Sequence, residues 1–381
     1  MAAGFTVGIR VLARVVVVGS GFAGVEAVRV LGRLAGCGVE NECVLVTPRP
    51  VLSFVPYAPA VAGGRFERGD VEWGVERFAE RNGFTVVAKK TVAVTGESVR
   101  LEDGEEIGFD YALIAAGARP AFYGVPGADS EAIPLYSIED GLRLREAAGK
   151  AEKIVIVGAG FVGVEAAAEL LEAAKRDGRK LSVVLVDLLP EPLGLLRNPE
   201  ASRLVRRILE NLGAEFVLGK KVVKVENNCV VLEDGSHVDG DAVVWSAGFQ
   251  GPGIELPRDS LGRGMFILVD EYLRVKGLGG RVFAAGDAAA IRSGDCAALK
   301  MAREAVRSAA TAALNIATLL RGGKSLERYR PLLSTCAPQA GLVLGPRRGV
   351  MLLGYRLAFE SRIPHLYHER IRREYMEMLA A

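Results

Sequence analysis

The sequence predicts an α/β protein built from two parallel-sheet units and a small C-terminal segment. Three observations carry that expectation. Short β-branched runs stand at residues 14–18 (RVVVV) and 153–157 (KIVIV), the composition of strands buried on both faces of a parallel sheet. Each run enters a G-x-G-x-x-G turn: Gly19, Gly21 and Gly24 in the first copy, Gly158, Gly160 and Gly163 in the second. Each turn then opens a stretch of helical composition, so the same strand–turn–helix text is written twice.

Length and composition bound the rest. The chain of 381 residues suggests two or three domains, and with 50% hydrophobic and 25% charged residues it can bury substantial cores. Forty-eight basic residues against 46 acidic ones leave a formal charge of +2, which gives no reason to expect a nucleic-acid partner. No apolar run reaches the roughly 18 residues of a membrane span. Arg10 and Arg14 interrupt the N-terminal run, which reads as the approach to the first strand in a cytoplasmic protein, not as a signal peptide. Five cysteines show no zinc spacing and no CxxC. Cys37 and Cys43 are read as buried thiols, although their spacing allows a bridge. Gln250 and Gln339 are the only glutamines, a composition that suggests a hot-growing source.

The glycine turns explain why the text is repeated. Gly19–Ser20–Gly21–Phe22–Ala23–Gly24 and Gly158–Ala159–Gly160–Phe161–Val162–Gly163 let a backbone approach a pyrophosphate closely. Its charge is then held by free N–H groups at a helix N-terminus. Two nucleotides are therefore expected, in two Rossmann-like dinucleotide-binding units. In the second unit the next strand, LSVVLVDLL, carries Asp187, a carboxylate that accepts from a ribose diol and repels a 2′-phosphate, favouring NAD over NADP. In the first unit CVLVTPRP puts Thr47 in that position with Arg49 beyond it. Thr47 can bond a ribose hydroxyl, but the acid is missing.

Three further stretches resemble the two-dinucleotide-binding flavoprotein superfamily over about residues 14–330. YALIAAGARP (111–120), with Ala116 and Gly117, looks like the turn leaving a flavin domain; AVVWSAGFQG (242–251), with Gly248, is its counterpart in the NAD domain. RVFAAGDAA (281–289) looks like the strand whose Gly286–Asp287 end bonds the flavin's ribityl chain, although Asp287 also fits a helix N-cap. The resemblance implies an inserted topology: an FAD domain of residues 1–120 and 251–330, an NAD domain of 121–250 and a segment of 331–381. FAD and NAD(H) are the implied cofactors. Glu165 stands where the superfamily bonds the nicotinamide carboxamide; complementing the helix dipole is the equal alternative, since Glu26 sits identically in the flavin copy.

Closer resemblance lies with type II NADH dehydrogenases, which pass electrons from NADH through FAD to a quinone. VLSFVPYAPAVAGG (51–64), which includes Pro56, FYGVPGADSEAIPLYSIEDGLRLREA (122–147) and GAGFVGVEAAAEL carry it. Two departures stand out. The family's A-Q-x-A-x-Q helix here reads Ala302-Arg303-Glu304-Ala305-Val306-Arg307, and Lys300 precedes it where proline is usual. Lysine there resembles sulfide:quinone oxidoreductases. With the N–H groups of Met301 and Ala302 it would stabilise negative charge on the flavin's N1/O2 edge. Cys336 also falls where the sulfide enzymes keep one redox cysteine, but the expected partner near 135–145 is absent. Cys296 is the replacement partner considered, provided the two Cα atoms lie within about 7 Å.

The last segment, 331–381, reads as a strand-like patch, GLVLGPRRGVMLLGY, and a helix from about His365. On that helix Leu366, Tyr367, Ile371, Tyr375 and Met378 recur at helical spacing, with seven arginines against four glutamates from residue 347 onward. Peripheral membrane contact and packing within the molecule or across a homodimer both fit. His365 and His368 are read as solvated, with no metal site.

The reading is thus an enzyme with Lys300, Glu165 and Cys336 as candidate catalytic residues, taking NADH as donor and a quinone or other small acceptor. A sulfide:quinone-type enzyme, a soluble NADH:acceptor reductase and a flavin- and NADH-binding sensor are the alternatives.

Overall fold

A computed structural model describes residues 12–380; the N-terminal run through Arg10 lies outside them. The first β-branched run is strand β1 (Arg14–Val18), followed by helix α1 (Phe22–Leu34) and strand β2 (Glu42–Val46). A short helix α2 (Ala58–Ala62), β3 (Phe84–Val87) and β4 (Tyr111–Ile114) complete this stretch. β1 pairs in parallel with β2 on one side (Val15↔Cys43) and with β4 on the other (Val15↔Tyr111).

The second sheet takes β5 (Ile133–Pro134), then α3 (Ile138–Lys150), β6 (Lys153–Val157), α4 (Phe161–Arg176) and β7 (Ser182–Asp187). It ends with α5 (Pro199–Leu212), β8 (Ala214–Leu218) and β9 (Ala242–Trp245). The chain then returns to the first sheet as β10 (Val282–Ala284), beside β4, and continues into α6 (Ala302–Leu320). Both sheets are five-stranded and parallel, in the orders β3-β2-β1-β4-β10 and β8-β7-β6-β9-β5. The expected α/β architecture of two Rossmann-like units is thus what the chain builds. Where it crosses between sheets, Arg119–Pro120 pairs antiparallel with Phe249–Gln250.

The β-branched runs form strands because both faces are covered. Val15, Val16, Val17 and Val18 lie in one core with Leu31 of α1 and Ile316 of α6. Ile154 and Ile156 lie in a second core with Leu170 of α4 and Ile208 of α5. Burying each such side chain contributes about 1.5–3 kcal/mol. α3 crosses α2 so closely that a Cβ on Gly141 would stand 2.6 Å from the Ala58 carbonyl oxygen.

The tail holds more strand than its sequence suggests. β11 (Gln339–Leu344), β12 (Arg348–Leu353) and β13 (Leu357–Glu360) form an antiparallel sheet, and helix α7 (Ile363–Ala380) starts two residues before His365. Leu342, Leu344, Val350 and Leu352 enter the second core. The expected apolar stripe of α7 is divided: Ile371 packs on the second core and Tyr375 and Met378 on the first, whereas Leu366 is 71% exposed. Among the described residues no helix is long and apolar enough to cross a membrane.

Two expectations are corrected. Cys37 and Cys43 are not free thiols but a disulfide with Cα atoms 5.4 Å apart. Gly36 and Gly38, at φ 62° and 77°, fold the intervening residues into a tight turn that brings the sulfurs together. His368 is not solvated: its Nδ1 is buried with no hydrogen-bond partner among the described residues, and burial pushes its pKa down to about 4. His365 Nε2 lies 2.9 Å from the Arg348 carbonyl oxygen.

Candidate active site

The two glycine turns match in detail. Gly19 and Gly158 hold φ values of 104° and 106°, in the left-handed region that side chains avoid. A Cβ on Gly24 would stand 1.8 Å from the Gly19 carbonyl oxygen, and one on Gly163 1.9 Å from that of Gly158. The outer glycines are therefore demanded by the turn itself. The middle ones are not: a Cβ on Gly21 or Gly160 would meet nothing within 4 Å. Gly21 and Gly160 are also the N-caps of α1 and α4, and among the described residues no side chain caps either helix. Each turn is an open cradle of helix N–H groups fitting a pyrophosphate. Phe22, Ala23, Phe161 and Val162 are the first helical residues of the two cradles.

The ends of the second strands differ. Asp187 accepts from Ala159 N at 2.6 Å through Oδ2 and from Leu189 N at 2.8 Å through Oδ1. Each oxygen keeps lone-pair capacity for a ribose hydroxyl. Thr47 is different. It is 3% exposed, donates its hydroxyl proton to the Arg49 carbonyl at 3.0 Å and packs 3.0 Å from Ser20 Oγ. Ser20 Oγ donates to the Val51 carbonyl at 2.8 Å. Both hydroxyls stitch the turn together. Arg49 pairs with Glu72 at 3.0 Å on the surface, and Pro56 lies in the short turn Val55–Tyr57 ahead of α2.

Around the first cradle, β4 and β10 end side by side. Ala115 N donates to Val18 O at 2.8 Å, and Ala116 and Gly117 (φ 70°) follow. Tyr136, from the segment between β5 and α3, takes the Ala118 N–H at 3.0 Å. Gly286 (φ 66°) sits where α1 and α6 converge: a Cβ there would stand 3.0 Å from Ala23 Cβ and 3.3 Å from Ala305 Cβ. Its N–H donates to Ser308 Oγ at 3.0 Å. The neighbouring Asp287 carboxylate has no hydrogen-bond partner among the described residues, and burial raises its pKa against the pull of Lys300. An acceptor left open in this place fits a ligand hydroxyl.

Lys300 lies directly against this carboxylate's backbone. Nζ donates to Asp287 O at 3.1 Å and to Ala289 O, and stands 4.6 Å from the Phe266 ring centroid. Burial pushes its pKa down to about 8, opposed by Asp287. Met301 is the N-cap of α6 and Ala302 its first residue; among the described residues no side chain caps them.

Glu165, in the second turn of α4, has a partner the sequence does not show. Its Oε1 accepts from Val343 N of β11 at 2.8 Å, so the tail sheet's edge is tied to the second cradle. Burial pushes its carboxyl up to about 8. Its counterpart Glu26 instead pairs with Arg29 on its own helix, at 2.6 and 2.8 Å. Gly248 (φ 134°) follows β9, facing Tyr123. Cys336 and Cys296 meet the proximity condition: they form a disulfide with Cα atoms 5.4 Å apart.

Sequence reasoning missed Glu304. It is 3% exposed and holds Tyr329 Oη at 2.5 Å and the N–H groups of Leu332 and Leu333 at 3.0 and 2.8 Å. It thereby clamps the chain after α6 against that helix. Its place inside the A-R-E-A-V-R stretch was the only available signal. Among the described residues no group of three His, Cys, Asp or Glu side chains could hold a metal ion.

A profile described as "Pyridine nucleotide-disulphide oxidoreductase" matches residues 13–313. The chain belongs to that family. The chain is 32% identical over 316 residues to a NADH dehydrogenase-like protein of Mycobacterium tuberculosis, covering 74% of each chain. Its fold is similar to the sulfide:quinone oxidoreductase of Aquifex aeolicus, with a TM-score of 0.82 and 16% identity, covering 96% of this chain and 91% of that one. It is also similar to NDH2 from Plasmodium falciparum in complex with NADH, with a TM-score of 0.77 and 14% identity, covering 96% and 94%. The family's two-cradle architecture is the one described above.

Proposed function

We propose that the chain is an FAD-dependent oxidoreductase that takes electrons from NADH and passes them to a quinone. The observation that carries the reading is the pair of open cradles, one beside the unpartnered Asp287 carboxylate and the other beside Asp187. The first suits FAD, with Asp287 accepting from the ribityl hydroxyls; the second suits NAD(H), with Asp187 on the adenosine ribose. Bound FAD would supply the two-electron relay between donor and acceptor. The chain's own residues then bind and orient. Positioning the two reactants is worth more than any acid or base, since the hydride step moves no separate proton.

Lys300 would hold a positive charge beside the flavin's pyrimidine edge, reinforced by the uncapped start of α6. Glu165, with one oxygen held by the tail, would present the other toward the nicotinamide. The membrane reading draws support from exposed Tyr355, Leu357, Phe359, Ile363 and Leu366 in the tail, interspersed with Arg356 and Arg362, which suits an anionic lipid surface.

A second reading, sulfide oxidation, is favoured by the Cys296–Cys336 pair and by Lys300. Following flavin absorbance anaerobically with NADH, NADPH and sulfide in turn separates the two. Bleaching by NADH, with turnover on a soluble quinone, is expected. Bleaching by sulfide and not by NADH would overturn the first reading, and a protein that takes up no flavin would overturn both.

A further inference from the structure

The two disulfides sit in opposite surroundings. Cys37 and Cys43 are 7% and 2% exposed, inside the first core. Cys296 is only half-buried and Cys336 is exposed. The second bridge also occupies a strategic place. It joins the short hairpin before Lys300 to the segment before the tail sheet. Between these lies a small ladder: Ala297 N donates to Thr335 Oγ1 at 3.1 Å, Thr335 N to Ala297 O at 2.8 Å, and Leu299 N to Leu333 O at 2.9 Å. Its inner end is Lys300 and the Glu304 clamp; its outer end is the sulfur bridge. Tyr355 Oη donates to Thr335 O at 2.6 Å and ties the ladder to the tail.

We propose that Cys296–Cys336 is a thiol-exchange site for small thiols, and that opening it loosens the strap carrying Lys300. An incoming thiolate reaches the exposed Cys336 sulfur and forms a new S–S bond there. The old bond breaks, and its electron pair leaves on Cys296, which then takes a proton from water. A second thiolate attacks the small molecule's sulfur in this mixed disulfide and leaves as the oxidised small disulfide, releasing Cys336 as a thiolate that is protonated in turn. Two thiols are oxidised to one disulfide and the protein bridge gains two electrons and two protons. The small disulfide closes the bridge by the reverse steps. With the bridge open, the outer end of the ladder rests on a few backbone bonds in a segment where Leu332, Thr335, Cys336 and Ala337 are exposed. Local opening there costs far less than unfolding.

The test treats the folded full chain with reduced glutathione, alkylates it and reads each cysteine by peptide mass spectrometry, with amide exchange measured in parallel. Cys229, the free thiol, reports alkylation itself. Cys296 and Cys336 should label at least about tenfold faster than Cys37 and Cys43. Amide exchange along 296–300 and 333–336 should rise about tenfold once the bridge opens. A Cys296→Ser/Cys336→Ser variant should exchange fast from the start and ignore glutathione. The proposal is overturned if the two bridges open together only under denaturing conditions. It is also overturned if the strap's exchange is unchanged after Cys296 and Cys336 are reduced, or if the double serine variant exchanges as slowly as the parent.

Discussion

Arg65 and Glu169 form a two-pronged ion pair, Nε to Oε2 at 2.8 Å and Nη2 to Oε1 at 2.6 Å, between the segment after α2 and the middle of α4. Glu169 is 2% exposed, and burial raises its pKa against the pull of Arg65. The pair fastens the first unit to the helix that opens the second cradle. Arg65→Met would leave a buried carboxylate alone, at a cost of about 3–5 kcal/mol. Replacing both by methionine should recover most of that loss, because the desolvation penalty disappears with the charge. Denaturant midpoints of the two variants check this; equal destabilisation by both would show that packing, not charge, sets the cost.

Glu165 titrates where most carboxyls have finished. Its folded pKa of about 8 lies above the unfolded value near 4.5, so the folded state holds the proton longer. Stability from this group is full below about pH 4.5 and is lost as pH rises toward 8, by about 4–5 kcal/mol at most. Glu165→Gln keeps a carbonyl for the Val343 N–H and removes the titration. Thermal melts of nucleotide-free protein between pH 5 and pH 8 should therefore slope downward in the parent and much less in the variant. Parallel slopes would remove Glu165 as the source.

The glycines separate fold from ligand. Gly163→Ala drives a Cβ to 1.9 Å from a backbone carbonyl oxygen, which no side-chain adjustment relieves, so the variant should melt lower and bind nothing. Gly160→Ala adds its methyl into open space at a permitted φ of −77°. Its folding cost should stay within about 1 kcal/mol, the price of alanine at an N-cap. The methyl would nevertheless occupy the approach to the pyrophosphate. NADH binding measured by calorimetry should fall at least about tenfold while the melting curve barely moves. Gly21→Ala should do the same to FAD retention.

These contrasts explain what the sequence could and could not reveal. Gly19, Gly24, Gly158 and Gly163 were legible because a backbone constraint forces one residue type at a set spacing. The strands at 14–18 and 153–157 were legible because burial on both faces selects valine and isoleucine. The partners of Glu165, Glu169 and Glu304 were not, because each contact joins segments brought together only by the fold: 178, 104 and 28 residues separate the bonded pairs. Thr47 adds a nearer case: its hydroxyl contacts, to Ser20 and the Arg49 carbonyl, come from the closure of the turn, which motif spacing does not reveal. The third tail strand, Leu357–Glu360, escaped because Leu357 and Phe359 point outward, leaving no buried alternation to mark it.

Lys300 offers the complementary test. Its folded pKa of about 8 lies below the usual 10.5, so the unfolded chain holds the proton more tightly. The cost of burying this cation is full below about pH 8 and fades as pH rises toward 10.5, a recovery of about 3 kcal/mol at most. With Glu165 losing stability up to pH 8, the two groups place a trough near that pH. Lys300→Met should abolish the rise on the alkaline side while leaving the acid side intact, even though two carbonyls lose their donor. On the flavin-loaded protein the proposed contact of Lys300 with the flavin predicts that the same variant loses a charged hydrogen bond worth about 1.5–3 kcal/mol. That corresponds to a midpoint potential about 30–65 mV more negative for a two-electron couple. A variant that loses the alkaline rise with its potential unmoved would confine Lys300 to holding the Asp287 and Ala289 carbonyls, and would remove it from the electron path.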